Sequence, residues 1–316
     1  MSTPSSSFPE VLDSTILTSF LSCERQAYFS HFFNHASPEP SIDLHAGGAF
    51  ASALEAGRKA YYEHNPEYRT IALEKLWVSF GSEFENAKKK DVKSLSLALI
   101  EYFSEWPLEQ SSLSPATDLS VEHTFAIALS SLHPITLQPL IYGGRYDWLV
   151  HDENGLLWIL DDKTTTSIGE SWANQWRLRF QFLGYIWAAK SMGLSPVGVI
   201  IRGIGLLKTK TTLVEIRLPI PSHLLKEWEI LRDTIIHRMI EAYYNDYFLP
   251  NFSHTCNSYG SCSFMDVCLA APENRDRKLS ASFSTRKWNP LSQNPEEDFH
   301  SPANISSQPI DWPNWS

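Results

Sequence analysis

Apolar positions along this chain recur in two rhythms, and each predicts its own kind of element. Spacings of three and four mark helices. Asp13 or Ser14 can cap one running through residues 16–33, with Ile16, Leu17, Phe20 and Leu21 on a single face. Gly47 and Gly48 open a second over 49–64, where Phe50, Leu54 and Tyr61 point to the core and Glu55 sits at the edge of that apolar face. A third helical region covers 67–103, and a fourth runs from Gly169 to a stop at Gly193. In the fourth, Arg177, Gln181 and Tyr185 lie at four-residue steps on one side, and Trp176, Phe180, Leu183 and Trp187 lie on the other. A long helix from Ser222 to about Tyr247 closes the series. Between these, residues 121–129, 197–207 and 212–220 read as strands and 111–120 as a loop.

The most informative stretch is 141–166, IYGGRYDWLVHDENGLLWILDDKTTT. Apolar runs at 148–150 and 156–160 flank Asn154-Gly155, a short-range hairpin signal because glycine accepts the positive φ of a tight turn. With Glu153-Asn154-Gly155 as the loop, Asp152 pairs with Leu156 and Asp147 falls opposite Asp161. With Asn154-Gly155 alone as the loop, Asp147 falls opposite Asp162 instead. Strand side chains alternate, so Asp161 and Lys163 share one face and Asp162 takes the other. The first register puts two carboxylates and an ammonium on one face of one hairpin, the outline of a metal site with a lysine beside it. A lone Asp-x-Lys is otherwise a common solvated strand end. Gly143-Gly144 allows a backbone or substrate to come close just before Asp147.

At 316 residues and 43% apolar, the chain can bury one large core. Its net charge of −10 excludes a basic nucleic-acid coat. The charge is uneven, however. Lys163, Arg177, Arg179, Lys190, Arg202, Lys208, Lys210 and Arg217 face only Glu170 and Glu215 in the same interval, which suits a groove for a polyanion. Lys88, Lys89 and Lys90 read as a solvated face. No run is long or apolar enough to span a bilayer, and MSTPSSSFPE lacks the regions of a signal peptide, so a cytoplasmic protein is expected.

The chain has four cysteines, Cys23, Cys256, Cys262 and Cys268. The last three form C-x5-C-x5-C. Clustered thiols in a cytosolic chain suit a metal better than disulfides. An iron–sulfur cluster fits such a set, with structural zinc as second choice because zinc ribbons favour a tighter C-x2-C.

In this order the motifs resemble the PD-(D/E)xK nuclease superfamily in its RecB-like iron–sulfur branch, which includes the AddB nuclease domain, the CRISPR-associated exonucleases and phage-encoded relatives. TSFLSCERQAYF is similar to the family's first-cysteine segment, GGAFASALEAG to its first active-site helix, and GGRYD to its Gly-x-x-Asp strand. LDDKT is similar to the (D/E)-x-Lys-Thr strand, QFLGY to the Gln-x-x-x-Tyr helix, and the three late cysteines to the cluster motif. The resemblance implies an α/β core, a mixed central sheet flanked by helices, with a 4Fe-4S cluster joining 13–35 to 248–271 inside a nuclease domain of residues 13–271. It implies metal-dependent hydrolysis of DNA, at single strands or ends, in recombination, repair or phage DNA processing. Mg²⁺ or Mn²⁺ would be held by Glu55, Asp147, Asp161 and the Asp162 backbone carbonyl. Lys163 would orient the attacking water. Gln181 and Tyr185 would hold DNA or brace the lysine strand, and Arg177 would contact phosphate. Many relatives place a histidine where this chain has Ala51, and His45 is the candidate substitute. That departure sustains an alternative, a catalytically silent DNA-binding or assembly subunit; a site-specific endonuclease is a third reading.

Residues 1–12 and 272–316 are rich in Ser, Pro, Asn and charge and are expected to be disordered. The tip bearing Asp311, Trp312 and Trp315 could dock a replication or recombination protein.

Overall fold

The structure, a computed structural model, describes residues 7–37, 41–81, 90–117, 120–206, 211–257 and 262–292. The chain opens with strand β1 (Val11–Leu12) and helices α1 (Ser14–Ser22) and α2 (Glu24–Ala27). A π-turn (Tyr28–Phe32) and strand β2 (His35–Ala36) follow. Then come helices α3 (Ile42–Tyr62), α4 (Tyr68–Phe80) and α5 (Val92–Glu105), and strands β3 (Ser114–Pro115), β4 (Val121–Leu132), β5 (Pro139–His151) and β6 (Leu157–Thr165). Helices α6 (Glu170–Asn174) and α7 (Phe180–Ser191), strands β7 (Gly198–Leu206) and β8 (Thr211–Pro219), and helix α8 (Ser222–Tyr244) complete the core. Helices α9 (Met265–Leu269) and α10 (Arg275–Ser282) and strand β9 (Ser284–Thr285) end the described chain.

A mixed sheet carries the molecule. Its path runs β1-β5-β6-β7-β8, with β3 and β4 also paired to β5. The β1/β5 and β6/β7 pairs are parallel and the rest antiparallel. Side-chain alternation gives each sheet face its own core. Leu149, Ile159, Val199 and Ile201 pack with α1, α7 and α8, while Trp148, Val150, Trp158, Leu160 and Ile200 pack with α3, α4 and α5. The fold is therefore α/β, a mixed sheet flanked by helices. Among the described residues no helix is long and apolar enough to cross a membrane.

Several elements depart from their predicted bounds for physical reasons. Asp13 caps α1 by accepting a hydrogen bond from the Ile16 amide, 2.8 Å, but the predicted single helix breaks at Cys23, whose backbone is extended. Helix α3 begins at Ile42, because Ser41 caps it, and not at Gly47. The predicted helix 169–193 is split, and Arg179 takes an extended conformation between α6 and α7. That break lets Trp172, Trp176 and Phe180 all turn inward. Lys90 is buried and pairs with Asp43 at 2.7 Å, so it is no solvated lysine; Lys88 and Lys89 lie outside the described residues. The expectation of disorder from Pro272 onward fails for its first part. Helix α10 forms, β9 pairs with β2, and Trp288 donates its ring N–H to Asp13 at 3.0 Å. The tip with Asp311, Trp312 and Trp315 lies outside the described residues.

Candidate active site

The turn between β5 and β6 settles which register forms. Gly155 has φ +72°, and the Asp152 carboxylate accepts from the amides of Asn154 (2.9 Å) and Leu156 (3.0 Å) and from the Trp158 ring N–H (2.9 Å). Asp152 and Leu156 close the loop, and the ladder pairs His151 with Leu157 through to Trp148 with Leu160. One residue further, the same register sets Asp147 against Asp161. Both belong to the face covered by α7, as does Lys163.

Asp161 is fully buried, and Lys163 lies 2.5 Å from its Oδ2. Its Oδ1 has no hydrogen-bond partner among the described residues. Burial pushes its pKa up to about 7; Lys163 opposes this and Asp147 adds to it. Asp147 is raised as well, mainly by burial, while its Oδ2 accepts from the Asp162 amide at 3.0 Å. Burial pulls Lys163 down, yet Asp161, Asp147 and Asp162 outweigh it and the net shift is upward, so the ammonium stays protonated.

Asp162 points to the opposite face, into a buried network. Its Oδ2 accepts from Arg58 Nη2 at 2.7 Å and its Oδ1 from the Tyr102 hydroxyl at 2.8 Å. Arg58 and Arg202 both donate to that hydroxyl oxygen, at 2.7 and 3.1 Å. Arg202 also pairs with Glu215 at 2.9 Å. Arg202 is therefore a buried structural cation and no part of a solvent-facing basic strip. Lys208 and Lys210 lie outside the described residues.

The remaining candidates separate. Gln181 and Tyr185 come together: Gln181 Nε2 donates to the Tyr185 hydroxyl at 2.9 Å, and both line a cavity with Asp147. Tyr185 also feels the charges of Asp161 and Asp147, so the polar line of α7 lies over the carboxylates. Arg177 does not share that line. It is exposed in the turn before α7 begins. Glu55 directs its carboxylate to Lys59 at 2.5 Å, and its charge acts on Glu122. His45 Nε2 is 2.8 Å from the Phe80 carbonyl, on the first turn of α3 and not in a turn preceding it. No three His, Cys, Asp or Glu side chains among the described residues converge closely enough to hold a metal as they stand.

One acid escapes sequence reading. Glu122 lies between Val121, which pairs with Trp148, and His123, which pairs with Tyr146, and so stands beside Asp147 on the far side of β5 from Asp161. It has φ +54° and an ion pair with Arg145 at 2.5 Å. Burial, with Asp147 adding, pushes its carboxyl up to about 8. Its signal is the β4/β5 register, which no tight turn encodes.

Backbone contacts link the segments that carry the four thiols, although no three of the thiols converge on a metal position. Asn251 donates to the Ser22 carbonyl at 2.6 Å, and the Cys256 thiol donates to the Asn251 carbonyl at 3.0 Å, which brings Cys23 and Cys256 to one place. The Cys262 amide bonds the Cys256 carbonyl at 2.9 Å. Burial first, then Cys268, Cys23 and Cys256, pushes the Cys262 thiol up. All are half-buried and free of disulfides.

A family model described as the PD-(D/E)XK nuclease superfamily matches residues 14–269. No curated protein matches the chain. Among solved structures, a candidate exonuclease from Eubacterium rectale is similar at 14% identity, over 83% of this chain and 94% of its own, with a TM-score of 0.49. The protein SSO0001 is similar at 15% identity, over 71% and 84%, with a TM-score of 0.31.

Proposed function

Since the chain belongs to the PD-(D/E)XK nuclease superfamily, we propose that it is a metal-dependent DNA exonuclease acting on single strands or ends, in recombination, repair or phage DNA processing in the cytoplasm. The observation that carries this reading is the same-face trio of buried Asp161 with half-buried Asp147 and Lys163, near Gln181 and Tyr185. Two adjacent carboxylates driven toward protonation, one oxygen without a donor, are the surroundings a hard divalent cation relieves. Asp147, Asp161 and the Asp162 carbonyl would hold Mg²⁺ or Mn²⁺, which supplies Lewis acidity toward the phosphate and lowers the pKa of bound water. Glu55 would join only on exchanging Lys59, and His45 is engaged at Phe80.

Lys163 acts as a cation here. Held protonated, it orients the attacking water through its oxygen and offsets charge that builds on the phosphoryl oxygens, and it has no lone pair with which to take a proton. Gln181, locked to Tyr185, presents amide polarity to the strand without adding charge. Cys23, Cys256, Cys262 and Cys268 would hold a 4Fe-4S cluster, with zinc as second choice, only on drawing closer than they stand, since no three of them converge on a metal position as they are.

Lys163→Ala tests the reading. Wild-type protein with Mn²⁺ should shorten an end-labelled oligonucleotide, and the variant should lose at least about a hundredfold of that rate, the usual scale for removing one transition-state stabiliser. Wild type that binds DNA and never shortens it would establish the silent DNA-binding subunit in place of the enzyme.

A further inference from the structure

Residues 286–292 lie beyond the part of the chain that the family model matches, yet they wall the active-site cavity. That cavity, about 270 Å³, has Asp147, Arg145, Gln181 and Tyr185 on one side and Arg286, Lys287 and Trp288 on the other. The segment is held at three points. The Arg286 amide bonds the Asn34 carbonyl at 2.7 Å, Trp288 Nε1 bonds Asp13 at 3.0 Å, and Leu291 packs where a Cβ on Gly143 would stand, 2.8 Å away. Gly143 therefore keeps its hydrogen for this segment, the close approach that Gly143-Gly144 allowed for.

We propose that this cavity is a nucleotide subsite for a single DNA strand, in which Trp288 stacks an unpaired base while Arg145, Arg286 and Lys287 face the phosphates beside the Asp147–Asp161 pair. The inference rests on the nuclease reading and gives it a substrate form. Three lines on the page support it. Trp288 lines the cavity and is 37% exposed as a residue although its ring N–H is satisfied. Arg145, Arg286 and Lys287 line the same cavity as Asp147, which stands opposite Asp161. The cavity is near the roughly 300 Å³ at which small-ligand sites begin. A base inside a duplex has both faces covered by its stacked neighbours, so an aromatic side chain in the cavity favours single strands.

The test uses the full chain in EDTA, with anisotropy of a fluorescent oligothymidylate and of a blunt duplex of equal length. Trp288→Ala should weaken single-strand binding about tenfold, the usual worth of one aromatic–base stack, and leave duplex binding unchanged. Trp288→Phe loses the same bond to Asp13 but keeps a ring, and should remain within about threefold of wild type. Equal losses in both variants, or unchanged single-strand binding in Trp288→Ala, would overturn the subsite; so would tighter binding in Trp288→Ala, which would make the segment a plug. A parallel Mn²⁺ digest separates the two readings, because single-strand binding that depends on Trp288 without any digestion rejects the nuclease and keeps the subsite.

Discussion

Two consecutive aspartates with opposite duties define the active strand. Asp161 faces the site with an oxygen lacking a donor, whereas Asp162 is held by Arg58 and Tyr102 on the other face. Arg58 lies one turn beyond Glu55 on α3, so the Arg58–Asp162 pair fixes the helix against the lysine strand. Both of its members are nearly sealed from water, with the guanidinium also over the Trp148 ring at 4.6 Å. Removing one member of such a pair leaves a buried charge alone. Arg58→Ala should therefore cost about 3–5 kcal/mol in urea unfolding, and Lys163→Ala, which leaves buried Asp161 without its cation, should also destabilise, with an activity loss that persists after correction for the folded fraction. The period-two pattern of a strand was enough to place Asp161 and Lys163 together. Nothing in the sequence pairs Asp162 with Arg58, because that contact spans an α-helical layer and a sheet.

At the scale of elements, α7 is the piece that brings Gln181 and Tyr185 over the carboxylates, and Gly184 sets how closely it can lie. A Cβ there would stand 2.1 Å from the Tyr142 hydroxyl and 2.9 Å from the Trp228 ring, both in the packed core. Gly184→Ala should destabilise by about 1–3 kcal/mol, the cost of overpacking, and lower nuclease rate more than the unfolded fraction explains, since Tyr185 is the next residue. Circular dichroism and the labelled-oligonucleotide assay on one sample would separate the two effects. The Gln181–Tyr185 pairing was legible from four-residue spacing. Arg177 was not correctly placed, because tryptophan burial at 172 and 176 breaks the helix before α7, which no periodicity reports.

On the scale of the whole molecule, the first and last described segments are drawn together. Strand β9 pairs with β2, Arg238 of α8 grips Glu24 at 2.8 Å, and Asn251, near Cys256, bonds the Ser22 carbonyl where α1 gives way to α2. A metal held there would close a loop of most of the chain, and long loops gain most from closure. Cys262→Ser should then release the metal and lower unfolding free energy by about 3 kcal/mol, the scale of a cross-link of this kind. Visible absorbance that disappears with the substitution would identify iron–sulfur, and a colourless wild type that releases zinc would identify the second choice.

Local chemistry sufficed for the hairpin. An Asn-Gly turn and side-chain alternation put Asp161 and Lys163 on one face from sequence and left two registers for Asp147, between which the Asp152 bonds to its own loop decided in the structure. Folding alone decided what surrounds them. Glu122 arrives through a register set across a bulged strand pair, Arg202 is taken inward by Tyr102 and Glu215, and 286–292 comes back from the far end of the chain to wall the cavity. The physical difference is range. Turn and strand geometry act over a few residues and are written in adjacent letters, whereas contacts between distant segments depend on shape and burial that only the assembled core supplies.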